Sequence, residues 1–175
     1  DLFGVTMLRG VCNKGDAPSF STEVVARHVK QLKSLLPELD KRNLTLAIEN
    51  HGESSAVIAD MIAQVNSPRV RVILDPTNAK LSKEDPADVT RRLLPLTAYV
   101  HIKEFLDTPD GSLRCAGVGN SSMHWPPVIE ILKTAGPDLL HVFELPGVKQ
   151  DIVVDEFRRS MANFEALCAP VSRGA

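Results

Sequence analysis

Aromatic residues make up only 5% of the 175-residue chain, with one Trp and one Tyr. That is too few for a platform on which unpaired bases stack. A surplus of one charge is missing as well: 20 Lys and Arg face 22 Asp and Glu, a formal net charge of −2. Nucleic-acid binding usually rests on a basic surplus, so no nucleic-acid partner is expected. No uninterrupted apolar run reaches the roughly 18 residues of a membrane span, so no membrane partner is expected either. Cysteine is scarce: Cys12, Cys115 and Cys168 are odd in number, widely spaced and without a CxxC. This fits plain thiols in a reducing, cytoplasmic setting better than a disulfide framework. No basic segment followed by an apolar one opens the chain, so no signal peptide is expected. The first residue is Asp1 rather than Met, which points to a processed or incomplete chain.

What remains is an ordinary globular composition, 43% hydrophobic and 24% charged, of a length that suits one domain, residues 1–175. Apolar segments alternate between strand and helix periods. Residues 2–8 read as a strand, and Leu2–Val11 as an interior one. Residues 22–42 read as a helix capped by Ser21, with Pro37 kinking it or starting a second. Strand-like runs follow at Leu44–Glu49, Val70–Asp75, Ala98–Lys103 and Leu139–Glu144. Helical runs lie between and after them: Ala56–Val65, a helix opened by Asp85–Pro86 and reaching about Leu94, Pro126–Lys133, and Asp151–Leu167. The polar stretch Asp107–His124 reads as a long loop. Strict alternation implies a parallel sheet with helical crossovers. No GxGxxG or GxxxxGK[ST] follows a strand, so nucleotide-binding versions of such a sheet lose support. A (β/α)8 TIM barrel usually needs eight βα units and about 250 residues. Five units are present, so the expected fold is an incomplete barrel lacking its N-terminal strands.

The strand ends carry the chemistry. Three of the four later strands end in a carboxylate, Glu49, Asp75 and Glu144, and the other places His101 near its end. Side chains alternate along a strand. Glu49 is opposed by Leu44, Leu46 and Ile48, Asp75 by Val70, Val72 and Leu74, His101 by Val100 and Ile102, and Glu144 by Leu139, His141 and Phe143. With the greasy face packed on helices, the four polar groups point into the C-terminal mouth, where barrel enzymes keep their sites. Two Glu, one Asp and one His suit an octahedral divalent cation with open positions. Pro76 and Pro146 lie just past two of these residues and help end the strands.

Leu46-Ala-Ile-Glu-Asn-His-Gly52, Ile73-Leu-Asp-Pro-Thr-Asn78, Val100-His-Ile-Lys103 and Gly117-Val-Gly119 with Trp125 resemble the xylose-isomerase-like sugar phosphate isomerase/epimerase superfamily. The resemblance covers most of residues 2–167 and matches the C-terminal part of its barrel. It implies Glu49, Asp75, His101 and Glu144 as ligands to one divalent cation (Mn²⁺, Mg²⁺ or Co²⁺). It also implies Glu49 and Glu144 as acid/base catalysts, and a sugar or cyclitol as substrate. Two positions depart from it: Asn78 stands where many relatives carry His, and Val118 where Glu or Asp is common. Both positions influence substrate choice.

The chemistry expected of such a site is proton transfer beside a carbonyl, with the cation as Lewis acid on the developing enediolate. Lys103 could stabilise that charge. His51, Asn78, Lys103 and Arg114 are the candidate substrate contacts, Arg114 as a clamp for phosphate or hydroxyl; Arg9 and Asn13 are weaker ones. His28, on an apolar helical stripe, reads as a packed histidine, and Trp125 as a core anchor. Three alternatives stay open: an inosose dehydratase-like lyase on the same metal site, an endonuclease IV-like phosphodiester hydrolase, and a catalytically inactive fragment. The hydrolase wants a histidine-rich multi-metal cluster, and only five His occur. A homo-oligomer is compatible with all of these readings.

Overall fold

The computed structural model describes residues 4–12, 20–121 and 123–169. Five strands form one parallel sheet in the order β1 (Met7–Val11), β2 (Thr45–Glu49), β3 (Val70–Leu74), β4 (Thr97–Ile102) and β7 (His141–Phe143). Helices α1 (Thr22–Lys41), α2 (Ser55–Val65), α3 (Ala79–Ser82), α4 (Pro86–Leu93), α5 (Trp125–Lys133) and α6 (Val153–Cys168) connect or follow them. An antiparallel pair, β5 (Glu104–Asp107) and β6 (Leu113–Ala116), stands apart from the sheet. The result is an α/β half-barrel with neighbouring strands in sequence order.

Local chemistry explains most boundaries. Ser21 Oγ accepts from the Val24 N–H and opens α1, whose buried stripe is Val25, Val29, Leu32 and Leu39. Ser54 caps α2, and Asn66 closes it in the left-handed conformation. Asp85 caps α4 with Pro86 in the first turn. The helical stripes meet Ile48, Val70, Val72, Leu74, Val100 and Ile102 of the sheet in one core. Burying strands on that face leaves their other parity for the barrel interior.

Four expectations need correction. The first strand is Met7–Val11, not residues 2–8; its start is set by pairing with β2 from Met7↔Thr45 onward, and Gly4 has a positive φ of 61°. Leu2 and Phe3 lie outside the described residues. This strand is also an edge rather than an interior strand, with Met7, Leu8 and Val11 exposed. Pro37 does not start a second helix, since α1 runs unbroken to Lys41; the position is exposed, so water can satisfy the carbonyl that proline leaves without a donor. Finally, the stretch after Lys103 is not all loop. It folds back as β5 and β6 around Asp110-Gly111, with Gly111 at φ 81° and Thr108 N–H donating to the Ser112 carbonyl at 3.0 Å. An Asp-Gly pair is a strong hairpin signal.

Candidate metal centre

Two parallel strands, and the first positions beyond two others, deliver one group each. Glu49 ends β2 and is fully buried, while Asp75 follows β3 and is buried as well. His101 lies in β4 and is buried; Glu144 follows β7 and keeps 24% side-chain exposure. One ligand atom from each of the four lies within 4.8 Å of the others. Donors on opposite sides of an octahedral cation, each about 2.1 Å away, stand about 4.2 Å apart, so the four groups would have to draw in by roughly half an ångström to share one ion.

The remaining bonds of these groups fix their orientation. Asp75 Oδ1 accepts from Thr77 N–H (3.0 Å), Thr77 Oγ1 (2.8 Å) and Asn78 N–H (3.2 Å), capping the turn Pro76–Asn78. Its Oδ2 is buried and pairs with the Lys103 ammonium, Nζ standing 2.5 Å away. Glu49 divides its oxygens. Oε1 faces His101 Nδ1 at 3.3 Å and accepts from Asn78 Nδ2 at 3.2 Å, while Oε2 accepts from Arg9 Nε at 2.6 Å. Lys103 Nζ also donates to Glu144 Oε2 at 2.7 Å and stands 3.8 Å from Glu49 Oε1. Arg9, 44% exposed, reaches Glu144 Oε1 at 3.5 Å.

Three carboxylates this close repel one another unless cations intervene. Lys103 and Arg9 supply two positive charges. Burial alone would push the Glu49 carboxyl up, but its bond to His101, the Lys103 charge and Arg9 outweigh this and bring it down to about 2. Burial would lower Lys103, yet Asp75 and Glu144 raise it, so it stays an ammonium.

The donor set passes a chemical test for a divalent cation. Hard carboxylate oxygens with one imidazole suit Mg²⁺, Mn²⁺ or Zn²⁺, and Asp75 Oδ2, held by the Lys103 ammonium, becomes a ligand once that ammonium moves. Lys103 Nζ shares the space such an ion needs, so binding requires the ammonium to turn aside.

Of the other candidates, Asn78 and Lys103 join the cluster. His51 is half-exposed and its N–H donates to Glu53 Oε2 at 2.7 Å; among the described residues its ring bonds to none of the four. Arg114 lies exposed on β6, lining a neighbouring cleft instead. Asn13 lies outside the described residues. Trp125 is buried edge-on against Phe164, and His141 packs on Phe164 rather than entering the mouth.

Supporting residues escaped the sequence reading. Asn50 clamps Asp75 through both backbone groups, accepting from its N–H at 2.8 Å and donating to its carbonyl at 3.0 Å. Glu104 is buried under the glycine loop and accepts from Gly119, Asn120 and Ser121 N–H and from Trp125 Nε1. The available signal was a carboxylate placed directly after His-Ile-Lys in an apolar setting. Arg9, a weaker substrate candidate in the sequence, lies within β1 and enters the cluster through Glu49 and Glu144.

Comparison with known proteins bears on this arrangement. A family model described as a xylose isomerase-like TIM barrel matches residues 3–167. No curated protein sequence matches significantly. Among solved structures, a xylose isomerase domain protein from Planctomyces limnophilus is 17% identical, with a TM-score of 0.74 over 94% of this chain and 58% of its own. The IolI protein, whose structure is described with a zinc atom, is 15% identical with a TM-score of 0.77 over 94% and 63%. D-psicose 3-epimerase from Clostridium cellulolyticum H10, solved with D-tagatose, is 12% identical with a TM-score of 0.73 over 95% and 65%. The likeness is one of fold, and the chain spans about 60% of the length of these structures.

Proposed function

The chain belongs to the xylose isomerase-like TIM barrel family, and from that premise we propose that it carries the divalent-metal centre of a sugar isomerase or epimerase. The observation that supports this is the convergence of Glu49, Asp75, His101 and Glu144 within 4.8 Å at the strand ends. A cation held by these four would supply a Lewis acid for a carbonyl and its neighbouring hydroxyl. Glu144, partly exposed, removes the proton beside the carbonyl, and Glu49 returns one. His101 holds one flank through its ring nitrogen. Lys103, freed from Asp75, faces the negative oxygen that develops. Asn78 and Arg9 keep the two oxygens of Glu49 apart. A dehydratase would share the first proton removal and then expel a hydroxyl, so product analysis separates the two. A nuclease reading draws no support from a cluster with one histidine. The three free thiols are consistent with a reducing cytoplasm.

The test uses calorimetry and turnover together. Mn²⁺ should bind at about one ion per chain, and His101→Ala should weaken it. Glu144→Gln should lower turnover of ketoses by about 10²–10⁴-fold while leaving the melting temperature nearly unchanged. Two or more ions per chain, or full activity in Glu144→Gln, would overturn the assignment. No melting shift at millimolar Mn²⁺ would favour the inert-fragment reading.

A further inference from the structure

Arg9 stands in register with Ala47 and so shares the cluster side of the sheet with Glu49. Its guanidinium commits one edge to Glu49: Nε donates to Oε2 at 2.6 Å, and Nη2 pairs with the same oxygen. Nη2 also stands 3.5 Å from Glu144 Oε1. Nη1 has no partner among the described residues, and the side chain keeps 44% exposure. The outer edge, Nη1 with Nη2, is therefore left to offer two prongs beside the cluster. The charges there do not cancel. Three carboxylates face two fixed cations, Lys103 and Arg9, so the metal-free group carries one net negative charge. A ligating imidazole is neutral, so a divalent ion turns this into one net positive charge. Lys103 has its place in the reading above, opposite the oxygen that turns negative. Arg9 has no such counterpart in a neutral sugar. Uncompensated charge is costly where water is partly excluded, and a negative group on the substrate removes the surplus.

We propose that the metal-loaded mouth selects a sugar that carries a carboxylate, gripped by the free edge of Arg9. This rests on the metal-dependent reading above and narrows its substrate. A guanidinium edge matches a carboxylate in two-pronged fashion. A carboxylate monoanion cancels one positive charge, whereas a phosphate dianion overshoots it.

The experiment is calorimetry of D-glucuronate against D-xylose, the same sugar without the carboxylate carbon, on the intact chain with and without Mn²⁺. With Mn²⁺ bound, glucuronate should bind at least roughly tenfold tighter. The preference should vanish in the metal-free protein, where the net charge is negative, and in Arg9→Gln loaded with Mn²⁺. The wild type decides even where Arg9→Gln does not fold: the methyl ester of glucuronate should bind no tighter than xylose. Equal affinity for glucuronate and xylose overturns the proposal, as does a preference that survives in Arg9→Gln or without Mn²⁺. An ester that binds as tightly as the acid overturns it too, as does tighter binding of xylulose 5-phosphate than of glucuronate. Titration with Mn²⁺ separates this failure from failure of the reading beneath it. Mn²⁺ binding without the preference removes the carboxylate selection alone, and no Mn²⁺ binding removes both.

Discussion

Lys103 shows how one buried side chain can neutralise several carboxylates at once. Its ammonium sits 2.5 Å from Asp75 and 2.7 Å from Glu144, holding together carboxylates that would otherwise repel. Removing one partner of a buried ion pair leaves uncompensated charge and costs about 3–5 kcal/mol. Lys103→Met should therefore destabilise the metal-free protein by about that amount in urea unfolding. The same change removes a competitor for the ligands, so Mn²⁺ should bind the variant more tightly and restore more stability than in the wild type. Unchanged Mn²⁺ affinity would show that the ammonium does not share the ion's place. Glu49 and Glu144 differ in the same way: the first is enclosed and braced by Arg9 and Asn78, the second reaches solvent. Their positions in the sequence, each the last residue of an apolar run, are alike. The inequality comes from neighbours 40 and 29 residues away.

Elements are held at their ends by side chains from other elements. Glu84, in the loop between α3 and α4, accepts from Ser55 N–H and Oγ at 2.7 Å each and from Ser82 Oγ at 2.9 Å, beside Arg92. It thereby anchors the first turn of α2. Burial opposes its ionised form, but these bonds and Arg92 lower its carboxyl below the ordinary 4.5. The stabilisation is therefore present above about 4.5 and is lost as pH falls through the lower folded value. Glu84→Gln should cost about 1–2 kcal/mol near neutrality, and its deficit should shrink in melting curves recorded toward pH 3. A constant deficit from pH 6 to pH 3 would mean that the carboxylate charge is not its source. The glycine loop shows the limit of local reading. A Cβ on Gly117 would stand 2.9 Å from both Glu156 Oε1 and Ser160 Cβ. Helix α6, far along the chain, dictates that glycine, and no turn signal does.

Among the described residues the parallel sheet has two edges, β1 and β7, because its five strands do not close a barrel. On β1, Met7, Leu8 and Val11 are exposed, with one backbone side unpaired among the described residues. A bare apolar edge is a template for pairing with another chain. Light scattering should show association that rises with protein concentration, and Leu8→Lys should reduce it without altering Mn²⁺ binding. A chain that stays monomeric at millimolar concentration would show that the edge is covered in some other way.

By itself the sequence determined the alternation of strands and helices, the parallel half-barrel, and the parity that turns Glu49, Asp75, His101 and Glu144 away from the helical layer. Each follows from short-range periodicity, in which backbone geometry assigns residues to faces. Tertiary structure alone decided that Lys103 and Arg9 enter the cluster as counter-charges, that Asn50 braces it while Glu104 holds the glycine loop, and that Arg114 belongs to a separate basic cleft. Coulombic attraction and burial act between groups brought together through space, and no pattern along the chain records those distances.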